Sequence, residues 1–89
     1  MVLVKKLILD VLKPHHPNGL DFARAIAEQG MDYRVKLHVA EVDEQTETVV
    51  IVIESEDIQF EAIESVITTL GGSLHSVDEV EVVSQTPAD

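Results

Sequence analysis

This 89-residue chain contains no cysteine, so it has no thiol to act as a nucleophile or metal ligand. The side chains that could do chemistry are its four histidines and seventeen acids. One group surrounds predicted turns and comprises His15, His16, Asp43, Glu44 and Glu47. A second group begins at His75 and continues through Ser76 and Asp78. Imidazoles and carboxylates together can hold a divalent cation, Zn²⁺ or Mn²⁺ where histidines ligate and Ca²⁺ or Mg²⁺ where only oxygens do.

These residues leave several interpretations open. The histidines can be exposed turn residues, and the acids a solvated face or a subunit contact. A metal-dependent enzyme would use His15, His75 and either Asp78 or Glu47. Ser76 next to His75 lacks the elbow that exposes a nucleophile. The chain carries no phosphate loop, nucleophile elbow or HExxH pattern, so the sequence names no catalytic residue and no reaction.

Apolar periodicity and breaker residues define six elements that must position these groups. In chain order they are a strand over 2–12, a helix from Asn18 to Gly30, a strand over 33–39, a strand over 48–53, a helix whose stripe runs over 60–70, and a strand over 74–83. Two prolines among residues 13–19 end the first strand, and a bulge or strand end is expected near Ala40. Ser55 or Asp57 is the expected cap of the second helix, which Gly71 and Gly72 stop.

The order βαββαβ predicts an α+β, ferredoxin-like sandwich, with an antiparallel sheet of order 4-1-3-2 and both helices on one face. Residues 1–83 would form one domain and residues 84–89 a flexible C-terminal tail. Strand one would end beside the starts of strands three and four, so the scattered polar groups converge at one edge of the sheet. We therefore predict a metal site there, formed by His15, His75, Asp78 and Glu47. The second apolar face of strands one and three favours cover by another copy of the chain.

Three blocks in this order resemble the small archaeal proteins of domain-of-unknown-function family 211. The blocks are Leu9-Asp10-Val11-Leu12-Lys13-Pro14-His15, then Glu41-Val42-Asp43 with Thr46-Glu47, then Gly71-Gly72 with Leu74-His75-Ser76-Val77-Asp78-Glu79-Val80. The resemblance covers nearly the whole chain. It implies a ferredoxin-like fold, self-association, an archaeal source and no established reaction.

The charge is unevenly distributed along the chain. The formal net charge is −11, which argues against a nucleic-acid partner and against docking on anionic membranes. All six basic residues lie within the first 36 positions, so residues 1–40 carry +2 and residues 41–89 carry −13. No apolar run approaches the roughly 20 residues of a membrane-spanning helix, and no secretory leader is apparent, so we expect a cytoplasmic protein.

This asymmetry predicts an oligomer interface. Strands two and four are the sheet edges in the expected topology; strand two carries Arg34 and Lys36, with His38 in the same row, and strand four carries Asp78, Glu79 and Glu81. A basic edge meeting the acidic edge of another copy is a head-to-tail contact, which can close into a ring. We therefore expect a non-catalytic, self-assembling domain, with a small ligand or divalent metal ion at subunit boundaries left open. Salt adaptation, or an acidic adaptor for a basic protein, would also explain the excess acid.

Overall fold

A computed structural model describes residues 1–85 of the chain. Its elements are β1 (Val2–Pro14), α1 (Gly19–Ala27), β2 (Arg34–Val42), β3 (Thr46–Glu54), α2 (Phe60–Thr69) and β4 (Ser73–Ser84). The strands form one antiparallel sheet in the order β2-β3-β1-β4. This is the predicted ferredoxin-like α+β fold, since the order is the same when read from the other edge.

Alternate residues of the two central strands form the core together with both helices. On β1 and β3 the buried side chains are Leu7, Leu9, Val11, Val49, Ile51 and Ile53, and on the helices they are Phe22, Ile26, Ile63 and Ile67. Burying each of these side chains is worth about 1.5–3 kcal/mol. The helices therefore cover one face of the sheet, and the residues between those named on β1 and β3 belong to the opposite face.

Local interactions explain where each helix begins and ends. The Asn18 side chain caps α1, as predicted, and accepts a hydrogen bond from the Asp21 amide at 2.8 Å. The helix ends at Ala27, three residues before Gly30, and the amides of Gln29 and Gly30 that follow it bond three residues back instead of four. Among the described residues no side chain caps α2, and the predicted cap Ser55 instead donates its hydroxyl to Asp32 at 2.7 Å.

The strands also depart from the simple alternation. A register shift between Val39 and Glu41 confirms the irregularity predicted near Ala40. β1 continues two residues beyond the predicted end, to Pro14. β4 begins opposite Leu12, so the last two residues of β1 pair on one side only, where a proline without an amide hydrogen is tolerated.

The start of β1 and the end of β4 lie side by side. β4 runs through Ser84, one residue past the predicted end, and the amide of Gln85 donates to the carbonyl of Met1 at 2.8 Å. The rest of the predicted tail, residues 86–89, lies outside the described residues. Over residues 1–85, no helix has the length and apolar character needed to cross a bilayer.

Candidate functional site on the open face and edges of the sheet

The sheet face opposite the helices, called the open face below, is organised in rows of side chains that cross all four strands. The pairing registers define three rows from β2 to β4: Arg34, Glu54, Lys6 and Glu81; then Lys36, Val52, Ile8 and Glu79; then His38, Val50, Asp10 and Ser76. Residues that pair across strands share a face of the sheet, so each row is a line of neighbouring side chains.

Each of the first two rows begins with a base on β2 and ends with an acid on β4. Within the chain, the Lys6 ammonium lies 3.3 Å from Glu79. Glu81 pairs in register with Lys6, whereas Asp78 occupies an irregular position in β4 and accepts a hydrogen bond from the Ser76 hydroxyl at 2.7 Å. The residues predicted for the oligomer interface therefore lie on the two edge strands, as expected from the topology.

A small cleft lies between Asp10 of the third row and the next cross-strand pair, Leu12 and Thr48. Its lining residues are Asp10, Leu12, Thr48 and His75, and its volume is about 310 Å³. One oxygen of Asp10, Oδ1, is buried and has no hydrogen-bond partner among the described residues. The other oxygen lies 3.6 Å from Nδ1 of His75. The cleft thus combines a carboxylate that lacks a donor with an accessible imidazole.

His15 joins the β1–α1 loop to the loop between β2 and β3. Its Nδ1 lies 3.2 Å from the Glu47 carboxylate, and its Nε2 lies 2.9 Å and 3.0 Å from the carbonyl oxygens of Asp43 and Glu44. A protonated ring donates at both nitrogens and fits this set of acceptors. The hydrogen bond between His15 and Glu47 is the main cause of a raised pKa of His15, and the bond to the Glu44 carbonyl is the second. The same His15–Glu47 bond is the main cause of a lowered pKa of Glu47.

Lys13 completes this end of the sheet. Its side chain is fully buried, and its ammonium donates to the carbonyl oxygens of Pro14 and Pro17, both at 2.7 Å. The same ammonium lies 3.1 Å from Glu47, which therefore bridges Lys13 and His15. The lysine stem follows the core side of β1, so the charge is buried where the β1–α1 loop folds over it.

The structure brings together only half of the predicted metal site. His15 and Glu47 are in contact, but His75 lies beside Asp10, and Asp78 beside Ser76. The bulged position of His75, between the partners of Asp10 and Val11, lies about 15 Å along the strands from His15. Among residues 1–85, no group of three histidine or acidic side chains is arranged to hold a metal ion. Metal binding by this chain therefore stays a prediction.

The sequence interpretation gave no role to three polar residues that make specific contacts in the structure: Asp10, Lys13 and Asp32. Lys13 continues the alternation of Leu9 and Val11, and this parity is a signal that could have placed it on the core side. Asp32 accepts from the Ser55 hydroxyl and the Glu56 amide, and the first of these bonds is the main cause of its lowered pKa. Asp10 gave no signal beyond its alternation, because the cleft beside it depends on irregularities in β4.

Comparison with known proteins points to one family. The sequence model of the family DUF211, described as "Uncharacterized ArCR", matches residues 5–86. The chain is also similar to "Uncharacterized protein MJ0319" of Methanocaldococcus jannaschii, with 38% identity over 77 residues. That alignment covers 86% of this chain and 79% of the relative. The family match includes both helices, β2, β3, β4 and most of β1.

Proposed function

This chain belongs to the DUF211 family, and we propose that it is a non-catalytic domain that self-assembles by joining the β2 edge of one copy to the β4 edge of the next. The observation that carries the proposal is the arrangement of the first two rows of the open face. Each row begins with a base on β2 and ends with an acid on β4.

The edge strands have suitable directions for such a contact. Within residues 1–85, β2 pairs only with β3, and β4 pairs only with β1. All three pairings are antiparallel, so β2 and β4 run in opposite directions. If the next copy continues the sheet in the same orientation, its β2 meets β4 as an antiparallel neighbour. Edge strands of this kind are templates for pairing with another chain.

Charge selects one register for the contact. When the rows simply continue from one copy to the next, Lys36 meets Glu79 and Arg34 meets Glu81. Registers that keep the side chains on the same face differ by two residues. One such shift moves Arg34 opposite Val83 and leaves one lysine–glutamate pair, and the other moves Lys36 opposite Ser76. Only the unshifted register pairs both permanently charged bases with acids.

The expected contact is weak per pair and depends on the strand ladder. An exposed ion pair contributes about 0.2–1 kcal/mol, so two pairs orient the copies more than they hold them together. β4 also contains irregular positions at His75 and Asp78, which interrupt a continuous ladder at its beginning. The regular stretch from Glu79 to Ser84 is therefore the segment where strand pairing is expected.

Charge reversal tests the proposal. Sedimentation equilibrium on tag-free, metal-free protein at micromolar concentration and moderate salt should give a multimer of the 9.8 kDa chain. The double variant R34E/K36E should be monomeric, because both its edges are acidic, and E79K/E81K should also be monomeric, because both its edges are basic. A mixture of these two variants should assemble again, with the two kinds of subunit alternating.

A matched control separates the edge from overall charge. The variant E61K/E64K changes the net charge as E79K/E81K does, but it alters α2 on the other face of the sheet, so it should remain assembled. A monomeric wild-type chain under these conditions would overturn the proposal. So would a multimer of R34E/K36E with the wild-type mass.

A further inference from the structure

We propose that Asp10 and His75 of one copy, together with His38 of the partner subunit, bind one zinc ion at each boundary of the assembly. This inference rests on the edge-to-edge contact proposed above. It differs from the metal site predicted from sequence, since it uses neither His15 nor Glu47. One copy contributes two ligands, and the third arrives only with the next copy.

The two ligands from one copy already lie together. Oδ2 of Asp10 is 3.6 Å from Nδ1 of His75, and Oδ1 is buried without a partner among the described residues. His75 is the extra residue of β4 between the partners of Asp10 and Val11. The pairs on either side of it therefore hold His75 at the level of Asp10. The imidazole consequently lies over the cleft whose wall includes Asp10 and Thr48.

The third row of the open face supplies the remaining ligand. It runs from His38 on β2 through Val50 and Asp10 to Ser76 on β4. In the register that pairs Lys36 with Glu79, His38 of the partner subunit is the next open-face residue along β2 and faces the irregular stretch 76–78 of β4, just beyond the regular pairing. Neighbouring strands of a sheet lie about 4.7–4.9 Å apart, a distance that a histidine side chain can span. The partner subunit's His38 is therefore a cross-strand neighbour of the segment that carries His75.

The ligand types favour zinc over the harder cations. Two imidazoles and one carboxylate form a set that zinc accepts with tetrahedral geometry, with water in the fourth position. Calcium and magnesium prefer six or more oxygens, which this boundary does not offer. Bound zinc would also supply the positive charge that the Asp10 carboxylate lacks within its own copy. Zinc should therefore strengthen the assembly, because it binds the joined copies and not the separated ones.

Titration with zinc chloride tests the composite site. Tag-free protein is stripped of metal with a chelator, and the bound ions per subunit are counted by calorimetry. The wild-type chain should bind about one zinc ion per subunit. D10N, H38Q and H75Q should each lose this stoichiometric binding, whereas H16Q, which alters an exposed histidine in the β1–α1 loop, should keep it. Cobalt in place of zinc should give the intense visible absorption of a tetrahedral site.

Mixing two variants that have each lost zinc binding tests whether two copies share the site. In H38Q and H75Q refolded together from urea, about one boundary in four combines an intact His75 with an intact His38 of the partner subunit. Zinc binding should return to about that fraction, whereas a site within one copy would stay inactive. Full zinc binding by H38Q alone would overturn the zinc proposal. So would a mixed assembly that has the wild-type mass but does not regain zinc binding. An assembled wild-type chain without stoichiometric zinc would also overturn it and leave the assembly standing, whereas a metal-free monomer would overturn the proposed function itself.

Discussion

Replacing Lys13 with methionine is the sharpest test of how the β1–α1 end of the molecule is held. Methionine keeps the apolar stem of the side chain and removes the ammonium. The ammonium donates to the carbonyl oxygens of Pro14 and Pro17 at 2.7 Å and lies 3.1 Å from Glu47. No part of the Lys13 side chain is exposed, so water cannot replace these bonds without entering the core.

The magnitude follows from the bonds that are lost. Hydrogen bonds to a charged group are worth about 1.5–3 kcal/mol each, and breaking a buried ion pair costs about 3–5 kcal/mol. Glu47 keeps some contact with water and its bond to His15, which places the expected loss of unfolding free energy at about 3 kcal/mol, the lower end of that range. For a chain of this size each kcal/mol corresponds to about 4–8 °C, so the melting temperature should fall by about 12–24 °C.

Lys5 provides the matched control. Its ammonium also pairs with a carboxylate, but that partner, Glu56, is 77% exposed. K5M should therefore lose less than about 1 kcal/mol. Urea unfolding followed by far-ultraviolet circular dichroism, at one protein concentration, measures both variants. If K13M is no less stable than K5M, the buried ammonium does not organise this end of the sheet.

Two other substitutions test local features by the same urea midpoints. The bond with Glu47 raises the pKa of His15 above its ordinary 6.5, so its contribution to stability is complete below pH 6.5 and disappears as the pH rises through the raised value. H15Q should therefore lower the midpoint in mildly acidic solution and much less in alkaline solution; equal losses would contradict this. Gly71 has a φ of +86°, so G71A should cost about 1 kcal/mol and G71N less, whereas an unchanged midpoint in G71A would refute the conformational argument.

The sheet and its order were predictable because the decisive signals are local. Alternation on β1 and β3, the Asn18 cap and Gly71 after α2 each specify one element without reference to the others. With six elements in the order βαββαβ, few arrangements remain that cover the apolar face of the sheet. Patterns within single elements were thus sufficient to predict the order of the strands in the sheet.

The arrangement of the candidate site was less predictable because it depends on irregular positions in the strands. Two register irregularities in β4, at His75 and Asp78, change which residues share a row with β1. The sequence prediction grouped His75 with His15 because both flank the same end of the sheet, but β4 begins opposite Leu12, so the pairing places His75 at the level of Asp10 and leaves His15 beyond the start of β4. A bulge changes the phase of every later residue, and β4 contains no glycine to mark one. Lys13 differs, since its parity with Val11 could have revealed its burial.

The strong acidity of the chain and its proposed self-assembly oppose each other, and the distribution of charge reconciles them. Two copies of net charge −11 repel when their charges are treated as a whole. At physiological ionic strength the screening length is about 8 Å, whereas adjacent subunit centres in a continued four-stranded sheet lie about 19 Å apart. The repulsion between whole copies is then largely screened, but the boundary pairs Lys36–Glu79 and Arg34–Glu81 act at contact distance. Screening therefore suppresses the unfavourable interaction more than the favourable one. A chain with the same composition but evenly mixed charges would have no basic edge to meet an acidic one, so the separation of charge along this sequence is what would give the proposed assembly its direction.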